Sequence, residues 1–201
     1  IKAGAGTLFM TGVNTYSGST TISGGLVAID SMADFGNTTS INLAGGGLAI
    51  WEKSVTLSRN LSIHGGNGWF DVMGGMTLTQ DAASTIDGTS SIMKRGLGTM
   101  ILNGTNAQTG VYLADGILQV NSQASLGNTA EAGATAIQFG NDQTIGGANN
   151  GTRYTGGTLR INANIATLRG ISFNNNGNTN FSGGIDVTAG NVFTANGVIS
   201  Q

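Results

Sequence analysis

The sequence contains no cysteine and no proline, and only 9% of its residues are charged. Without cysteine there is no disulfide framework and no thiolate metal site. Without proline, every residue keeps a backbone N–H group that a sheet ladder can use. An average globular domain is about one-quarter charged, whereas glycine, asparagine, serine and threonine take that place here. These absences favour a β-rich, turn-rich protein with neutral polar faces.

The charge balance excludes one large class of partner. The eight basic residues are scattered along the chain and are outnumbered by ten acidic ones. Because a phosphate backbone requires several lysine or arginine side chains on one face, no nucleic acid partner is expected. No apolar run reaches the length of about 18 residues that a membrane-spanning helix needs. The chain starts inside a motif and stops inside a strand-like run, so we expect a fragment of a longer protein.

The chain contains a long internal repeat. The pattern that starts at Lys2 returns 92 positions later at Lys94, and both copies keep mainly glycine and asparagine. We predict that these shared residues are a structural repeat motif: Gly4, Gly6, Gly12, Asn14, Gly18 and Gly25 in the first copy, and Gly96, Gly98, Gly104, Asn106, Gly110 and Gly116 in the second. The sequence therefore predicts one domain, 1–201, made of two long repeats, 1–92 and 93–201, with an insertion near 132–154.

Short apolar–polar alternations recur about every 8–12 residues and are separated by glycine or asparagine, which is typical of strands. They could form a sandwich, a barrel or a parallel β-helix. The repeat favours the β-helix, because stacked coils place like residues above one another. The low charge agrees, since stacked like charges would lie about 4.8 Å apart, whereas asparagine, threonine and serine ladders avoid that repulsion. At roughly 20–25 residues per coil, we predict an all-β solenoid of about eight or nine coils.

The motif G-x-G-T-L-x-x-x-G-x-N-T-Y-S-G resembles the passenger-associated repeat of Gram-negative autotransporters, which use type V secretion. The first copy, Gly4–Leu26, matches along nearly its full length, whereas the second, Gly96–Leu118, has Gln108 in place of Tyr16. The resemblance implies a right-handed parallel β-helix that is secreted or displayed at the cell surface. It also implies a C-terminal outer-membrane β-barrel in the full-length protein. The implied partners are host or other cell-surface molecules, or further copies of the chain.

Little in the sequence points to catalysis or to a cofactor. The single histidine, His64, is expected at a solvent-facing corner after a strand. The stretch Gly65–Asp71 resembles a calcium-binding G-G-x-G-x-D pattern, but its spacing is one residue too long and it does not recur in tandem. We expect Trp69 and Phe70, within that stretch, to pack against the protein. The sequence therefore predicts no enzyme, no cofactor and no metal site.

The favoured function is a non-catalytic stalk or scaffold that supports adhesion or virulence and aids secretion by folding coil on coil. The alternative is a β-helical domain that binds or cleaves polysaccharides, in which two or three carboxylates lie on neighbouring strands. The repeat does not preserve such acids, since Asp30 aligns with Asn121 and Asp34 with Ser125. A third hypothesis is a binding module that acts through the insertion near 132–154.

Overall fold

The computed structural model describes residues 1–127, 135–140, 156–173 and 183–200. Within these ranges the chain forms 21 short strands and two 3₁₀ helices, and no α-helix is present. The 3₁₀ helices span Met32–Phe35 and Gln123–Leu126. None of the described helices has the length and apolarity needed to span a membrane.

The strands form four parallel sheets. The long sheet has nine strands: β1 (Thr7–Phe9), β3 (Leu26–Ile29), β5 (Gly47–Ile50), β8 (Gly68–Val72), β11 (Ile92–Arg95), β13 (Val111–Leu113), β15 (Thr135–Phe139), β18 (Gly170–Phe173) and β21 (Ile199–Ser200). The six-stranded sheet contains β6 (Val55–Leu57), β9 (Thr77–Gln80), β12 (Thr99–Leu102), β14 (Ile117–Val120), β16 (Thr158–Ile161) and β19 (Gly184–Val187). The four-stranded sheet contains β2 (Thr20–Ile22), β4 (Ile41–Leu43), β7 (Leu61–Ile63) and β10 (Ile86–Gly88), and the two-stranded sheet contains β17 (Ile165–Thr167) and β20 (Phe193–Ala195).

Each turn of the chain visits three sides of a parallel β-solenoid. Strands β8, β9 and β10 lie in the long, six-stranded and four-stranded sheets, and β11 then returns to the long sheet beside β8. On the third side, the segment 106–108 and the second 3₁₀ helix lie between β10 and β17. Ala107 N donates to Ile86 O at 2.9 Å, and Asn106 N donates to Ala124 O at 3.0 Å. The all-β, parallel solenoid predicted from the sequence is confirmed.

The number of coils is lower than predicted. The structure shows about six turns, the number of strands in the six-stranded sheet, against the eight or nine expected. The two turns that begin with β1 and β3, at the N-terminal end, are not among these six, because neither places a strand in the six-stranded sheet. The turn after β3 uses the 3₁₀ helix Met32–Phe35 there instead. The right hand of the solenoid stays a prediction.

Part of the predicted insertion near 132–154 forms strand β15, whose pairing with β18 has a register shift between Thr135 and Ile137. Strand β15 belongs to the long sheet, where it pairs with β13 and β18. The rest of that range lies outside the described residues. The insertion, and the repeat boundaries at 1–92 and 93–201, therefore stay predictions.

The core consists of stacked columns of inward-facing side chains, because alternation along a strand turns every second side chain inward. One column of the long sheet is buried from β3 to β15 and contains Val27, Leu48, Phe70, Lys94, Leu113 and Phe139. Phe139 continues it by stacking on Phe173, with ring centroids 4.7 Å apart. The one charged residue in this apolar column is Lys94.

Neutral polar side chains form a ladder at the corner that follows the six-stranded sheet. Asn121 Nδ2 donates to Asn103 Oδ1 at 2.5 Å, and Asn162 Nδ2 donates to Asn121 Oδ1 at 3.1 Å. Thr188 Oγ1 then donates to Asn162 Oδ1 at 3.0 Å. The ladder joins four successive coils without like-charge repulsion, which explains how a chain with few charges can stack like residues.

Candidate functional site

The two copies of the repeat lie on different sides of the solenoid. Strand β1 of the first copy corresponds in sequence to β12 of the second, yet β1 lies in the long sheet and β12 in the six-stranded sheet. In the same way, β2 lies in the four-stranded sheet whereas its counterpart β13 lies in the long sheet. Within the long sheet, β11 lies four turns after β1, and the next strand along the chain is β12, in the six-stranded sheet. The second copy of the repeat therefore lies four turns further along the solenoid than the first, and one side further around it.

A lysine joins two successive coils in the second copy. Lys94 Nζ donates to the carbonyl oxygens of Arg95 and Gly96, both at 2.6 Å, within its own turn. It also donates to the carbonyl oxygen of Asp115, at 3.3 Å, in the following coil. We call this arrangement the lysine clamp.

The first copy builds the same lysine clamp from Lys2. Lys2 Nζ donates to the carbonyl oxygens of Ala3 at 3.1 Å and Gly4 at 2.8 Å in its own turn. Its third acceptor is the carbonyl oxygen of Gly24, at 2.8 Å, in the following coil. Because Gly24 corresponds to Asp115 in the repeat, both lysines bind equivalent main-chain atoms.

Burial distinguishes the two clamp lysines. Lys94 is fully buried, whereas Lys2 is partly exposed. Burial lowers the pKa of the Lys94 ammonium group to about 7, and the carboxylates of Asp71 and Asp115 act in the opposite direction. The second lysine clamp therefore holds a proton that can leave near neutral pH.

Two coils approach each other closely at a pair of equivalent glycines. Gly25 and Gly116 have φ angles of 62° and 66°, in the left-handed region that glycine adopts without strain. A Cβ at Gly25 would lie 2.6 Å from the carbonyl oxygen of Gly4, and a Cβ at Gly116 would lie 2.5 Å from that of Gly98. We call each pair of touching turns a glycine stack. It admits no larger residue.

The other glycines of the predicted motif differ between the copies. A Cβ would meet no atom within 4 Å at any of the first-copy positions Gly4, Gly6, Gly12 and Gly18. In the second copy, a Cβ at Gly98 or Gly104 would overlap backbone oxygens of the preceding coil. Gly110 contributes its carbonyl oxygen, which accepts from Ile92 N at 3.0 Å. Glycine is thus required at positions 98 and 104 because the backbone of the preceding coil leaves no room for a side chain there.

The motif asparagine binds the 3₁₀ helix of the next coil in both copies. Asn14 Nδ2 donates to the carbonyl oxygen of Asp34 at 2.7 Å, and Asn106 Nδ2 donates to that of Ser125 at 3.1 Å. The main-chain N–H of each asparagine donates to the residue one earlier in the helix, at 3.1 Å and 3.0 Å. We call this pair of bonds the asparagine clamp.

The second asparagine clamp is extended by a buried amide pair. Gln80 Nε2 donates to Asn106 Oδ1 at 2.7 Å, and Asn106 Nδ2 donates to Gln80 Oε1 at 3.0 Å. Asn106 Oδ1 also accepts from Ile86 N at 2.8 Å. One asparagine thus satisfies polar groups of three successive coils inside the protein.

We expect Asn106→Ala to lower the free energy of unfolding by about 3 kcal/mol, because buried groups that lose a partner each cost about 1–3 kcal/mol. Asn14→Ala removes one side-chain bond at a partly exposed position and should cost about 1 kcal/mol. Urea denaturation of both variants measures the difference. Equal losses would contradict the extended role of Asn106.

The residues considered for chemistry in the sequence take structural positions. His64 is exposed directly after β7, and its Nδ1 lies 3.4 Å from Thr89 Oγ1. Phe70 is in the core, and Trp69 is 4% exposed with the Arg95 guanidinium 5.0 Å from its ring centroid. Across the described ranges, no group of three or more histidine, cysteine, aspartate or glutamate residues could hold a metal ion.

The carboxylate of Asp34 has a capping role. Its Oδ2 accepts from Asp30 N at 3.0 Å and from Ser31 N at 3.1 Å, which closes a capping box at the first 3₁₀ helix. Asp30 itself pairs with Lys53, with Nζ and Oδ2 2.7 Å apart. Neither acid therefore stands as one of a matched catalytic pair.

The two lysines align in the sequence, but the alignment alone assigned them no role. Lys2 and Lys94 occupy the same position in both copies of a chain that has only eight basic residues, and this coincidence could have indicated a structural role. Gln80 had no comparable signal, because its partner Asn106 is 26 residues away in sequence.

Comparison with known proteins agrees with the repeat. A family model described as passenger-associated-transport-repeat matches residues 1–29 and 93–120, which include both lysine clamps and both motif asparagines. The Adhesin BmaC autotransporter of Brucella suis biovar 1 (strain 1330) is 39% identical over 120 residues. That match covers 54% of this chain and 4% of the relative. No solved structure matches the chain. The chain thus contains two passenger-associated transport repeats, which supports the resemblance to autotransporter passengers predicted from the sequence.

Proposed function

We propose that this segment is a non-catalytic scaffold of a surface-displayed or secreted passenger, and that its exposed surface serves adhesion. The observation that carries the proposal is the pair of equivalent lysine and asparagine clamps. Both copies of the repeat use their shared residues to join one coil to the next. The similarity to a protein named an adhesin supports the adhesive role.

The same contacts support an aid to secretion. Each described strand pairs only with strands of adjacent coils, so a folded coil presents a template for the next one. Local, sequential pairing suits a chain that folds as it emerges on the far side of a membrane. We propose that a C-terminal outer-membrane β-barrel in the whole protein anchors the passenger on a Gram-negative cell. Host molecules, cell-surface molecules or further copies of the chain would be its partners.

The alternative, a polysaccharide-binding or -cleaving domain, has less support. Asp71 and Asp115 both act on Lys94, but that lysine is fully buried and its ammonium binds main-chain oxygens. A substrate could not reach it in this arrangement.

Display of the chain on a non-adherent Gram-negative host tests the proposal. The chain would be fused between an export signal and an outer-membrane translocator domain, and the same translocator without the chain is the control. We expect protease-sensitive display at the surface and a several-fold gain in binding to cultured host cells or to neighbouring bacteria.

Surface display, cell binding and sugar release each test a different part of the proposed function. A displayed chain that adds no adhesion would contradict the adhesive role. A chain that is folded when purified but never reaches the surface would contradict the passenger role. Release of sugars from polysaccharides by the purified chain would favour the alternative.

A further inference from the structure

An exposed aromatic cleft lies at the corner where the chain leaves the long sheet in its first coils. Phe9 and Trp51 remain 57% and 47% exposed, and their rings meet edge to face with centroids 5.6 Å apart. Ala28, the register partner of Phe9, is almost fully buried and lines the space beside the two rings. We call this feature the aromatic cleft.

The rim of the aromatic cleft is acidic. Asp30 and Glu52 line it, and Lys53 is the nearest basic residue, with its Nζ 2.7 Å from Asp30 Oδ2. Two carboxylates thus face one ammonium group, which leaves one negative charge uncompensated at the rim. The hydrogen bond that Lys53 Nζ donates to Asp30, followed by the charges of Asp30, Glu52 and Asp34, raises the pKa of Lys53. The rim therefore favours positive charge.

The size of the cleft limits what it can hold. The space open to small groups is about 50 Å³, several times the roughly 10–15 Å³ that one water molecule needs on the same measure. The cleft therefore has room for a small group such as the head of an alkylammonium cation. An exposed indole face attracts cations through its quadrupole.

We propose that the aromatic cleft binds a small alkylammonium cation, with Trp51 and Phe9 in contact with the methylene or methyl groups and Glu52 providing the opposite charge. Lys53 competes with the ligand for the carboxylates. The cleft is separate from the lysine, asparagine and glycine contacts that join the coils. The proposal therefore stands or fails independently of the scaffold role.

Choline chloride is a suitable probe because it has an uncharged isostere, 3,3-dimethylbutan-1-ol, of nearly the same shape. The indole N–H signals of Trp51 and Trp69 would be followed by NMR during titration with each compound at constant ionic strength. We expect a saturable shift at Trp51 with choline and at least tenfold weaker binding of the alcohol. A second arm with N-acetyl-lysine methylamide tells whether a lysine side chain or a choline headgroup is the better ligand.

Variants make the test specific. Trp51→Leu should abolish choline binding, as followed by the shifts of backbone amides that border the cleft. Lys53→Met should strengthen it several-fold, because both carboxylates then face the ligand. Met73→Ala, at an exposed residue outside the cleft, is the matched control and should leave binding unchanged. Thermal melts of all three confirm that they are folded.

Several outcomes would overturn the proposal. They are equal binding of choline and the alcohol, retention of choline binding in Trp51→Leu, weaker binding in Lys53→Met, and no saturable shift with either ammonium compound.

Discussion

Raising the pH from about 7 to about 10 should stabilise the protein by about 4 kcal/mol through Lys94 alone. The pKa of this lysine is about 7 in the folded protein, against 10.5 for the free side chain. Between these values the unfolded chain binds a proton that the folded protein has released, so the free energy of unfolding rises with pH. The destabilisation is fully present below pH 7 and disappears above 10.5. One pKa unit corresponds to about 1.4 kcal/mol, which gives the magnitude.

Lys94→Met tests this expectation, because methionine keeps the length of the side chain without its charge. Urea denaturation at about pH 6, 8 and 9.5 should show a rise for the native sequence that the variant lacks. Lys2→Met, in the equivalent and more exposed clamp, is the matched control and should keep the rise. An equal pH dependence in native protein and Lys94→Met would contradict the burial of a titrating ammonium group.

Gly116→Ala should lower the free energy of unfolding by about 4 kcal/mol or more. The φ angle of 66° already places alanine in a region that costs about 1 kcal/mol or more. The new Cβ would also overlap the carbonyl oxygens of Gly96 and Gly98 and would lie 2.9 Å from Lys94 Nζ. A single carbonyl group cannot move away without displacing the rest of its hydrogen-bonded coil. The overlap therefore adds the free-energy cost of an overpacked core.

Gly75→Ala separates the two causes. Gly75 has a φ angle of 82°, but a Cβ there would meet no atom within 4 Å. This variant should therefore lose only about 1 kcal/mol, from backbone strain alone. The midpoints of urea denaturation, with unchanged slopes, give both values. Equal losses would show that the glycine stack is looser than described.

Much of the fold follows from residues that are visible in the sequence. Alternation such as Leu61 to Ile63 predicts strands, and the return of the Lys2 pattern at Lys94 predicts stacked coils. The absence of proline and the low charge then select a solenoid, because every ladder position needs its N–H group and stacked charges repel. The Asn103–Asn121–Asn162 ladder is the outcome of that composition.

The number of coils could not be derived in the same way. Dividing the length by a typical coil assumes that every segment forms a strand on each side. Met32–Phe35 instead forms a 3₁₀ helix, because Ser31 and Asp34 cap it and the side chain of Phe35 is buried. This turn therefore has a capped 3₁₀ helix at a position where the estimate from an average coil length assumes a strand.

The roles of individual site residues were also beyond the sequence. The glycines were expected at corners, but whether a given glycine is required depends on the coil before it: Gly104 is crowded, whereas Gly12 is surrounded by open space. Charged side chains are rarely buried, but the three carbonyl partners of Lys94 permit its inward position. Contacts between coils, rather than the local sequence pattern, thus determine which glycines are required and whether Lys94 can be buried.

The most direct test of this account uses the absence of cysteine in the native chain. Thr77 and Thr99 are register partners in the six-stranded sheet. A pair of cysteines introduced as Thr77→Cys and Thr99→Cys should therefore react together with a short bifunctional thiol reagent. If the second copy lay on the same side as the first, Thr99 would instead continue the column of Thr7 and Trp69 in the long sheet. Rapid cross-linking of Trp69→Cys with Thr99→Cys, and none between positions 77 and 99, would contradict the shift by one side.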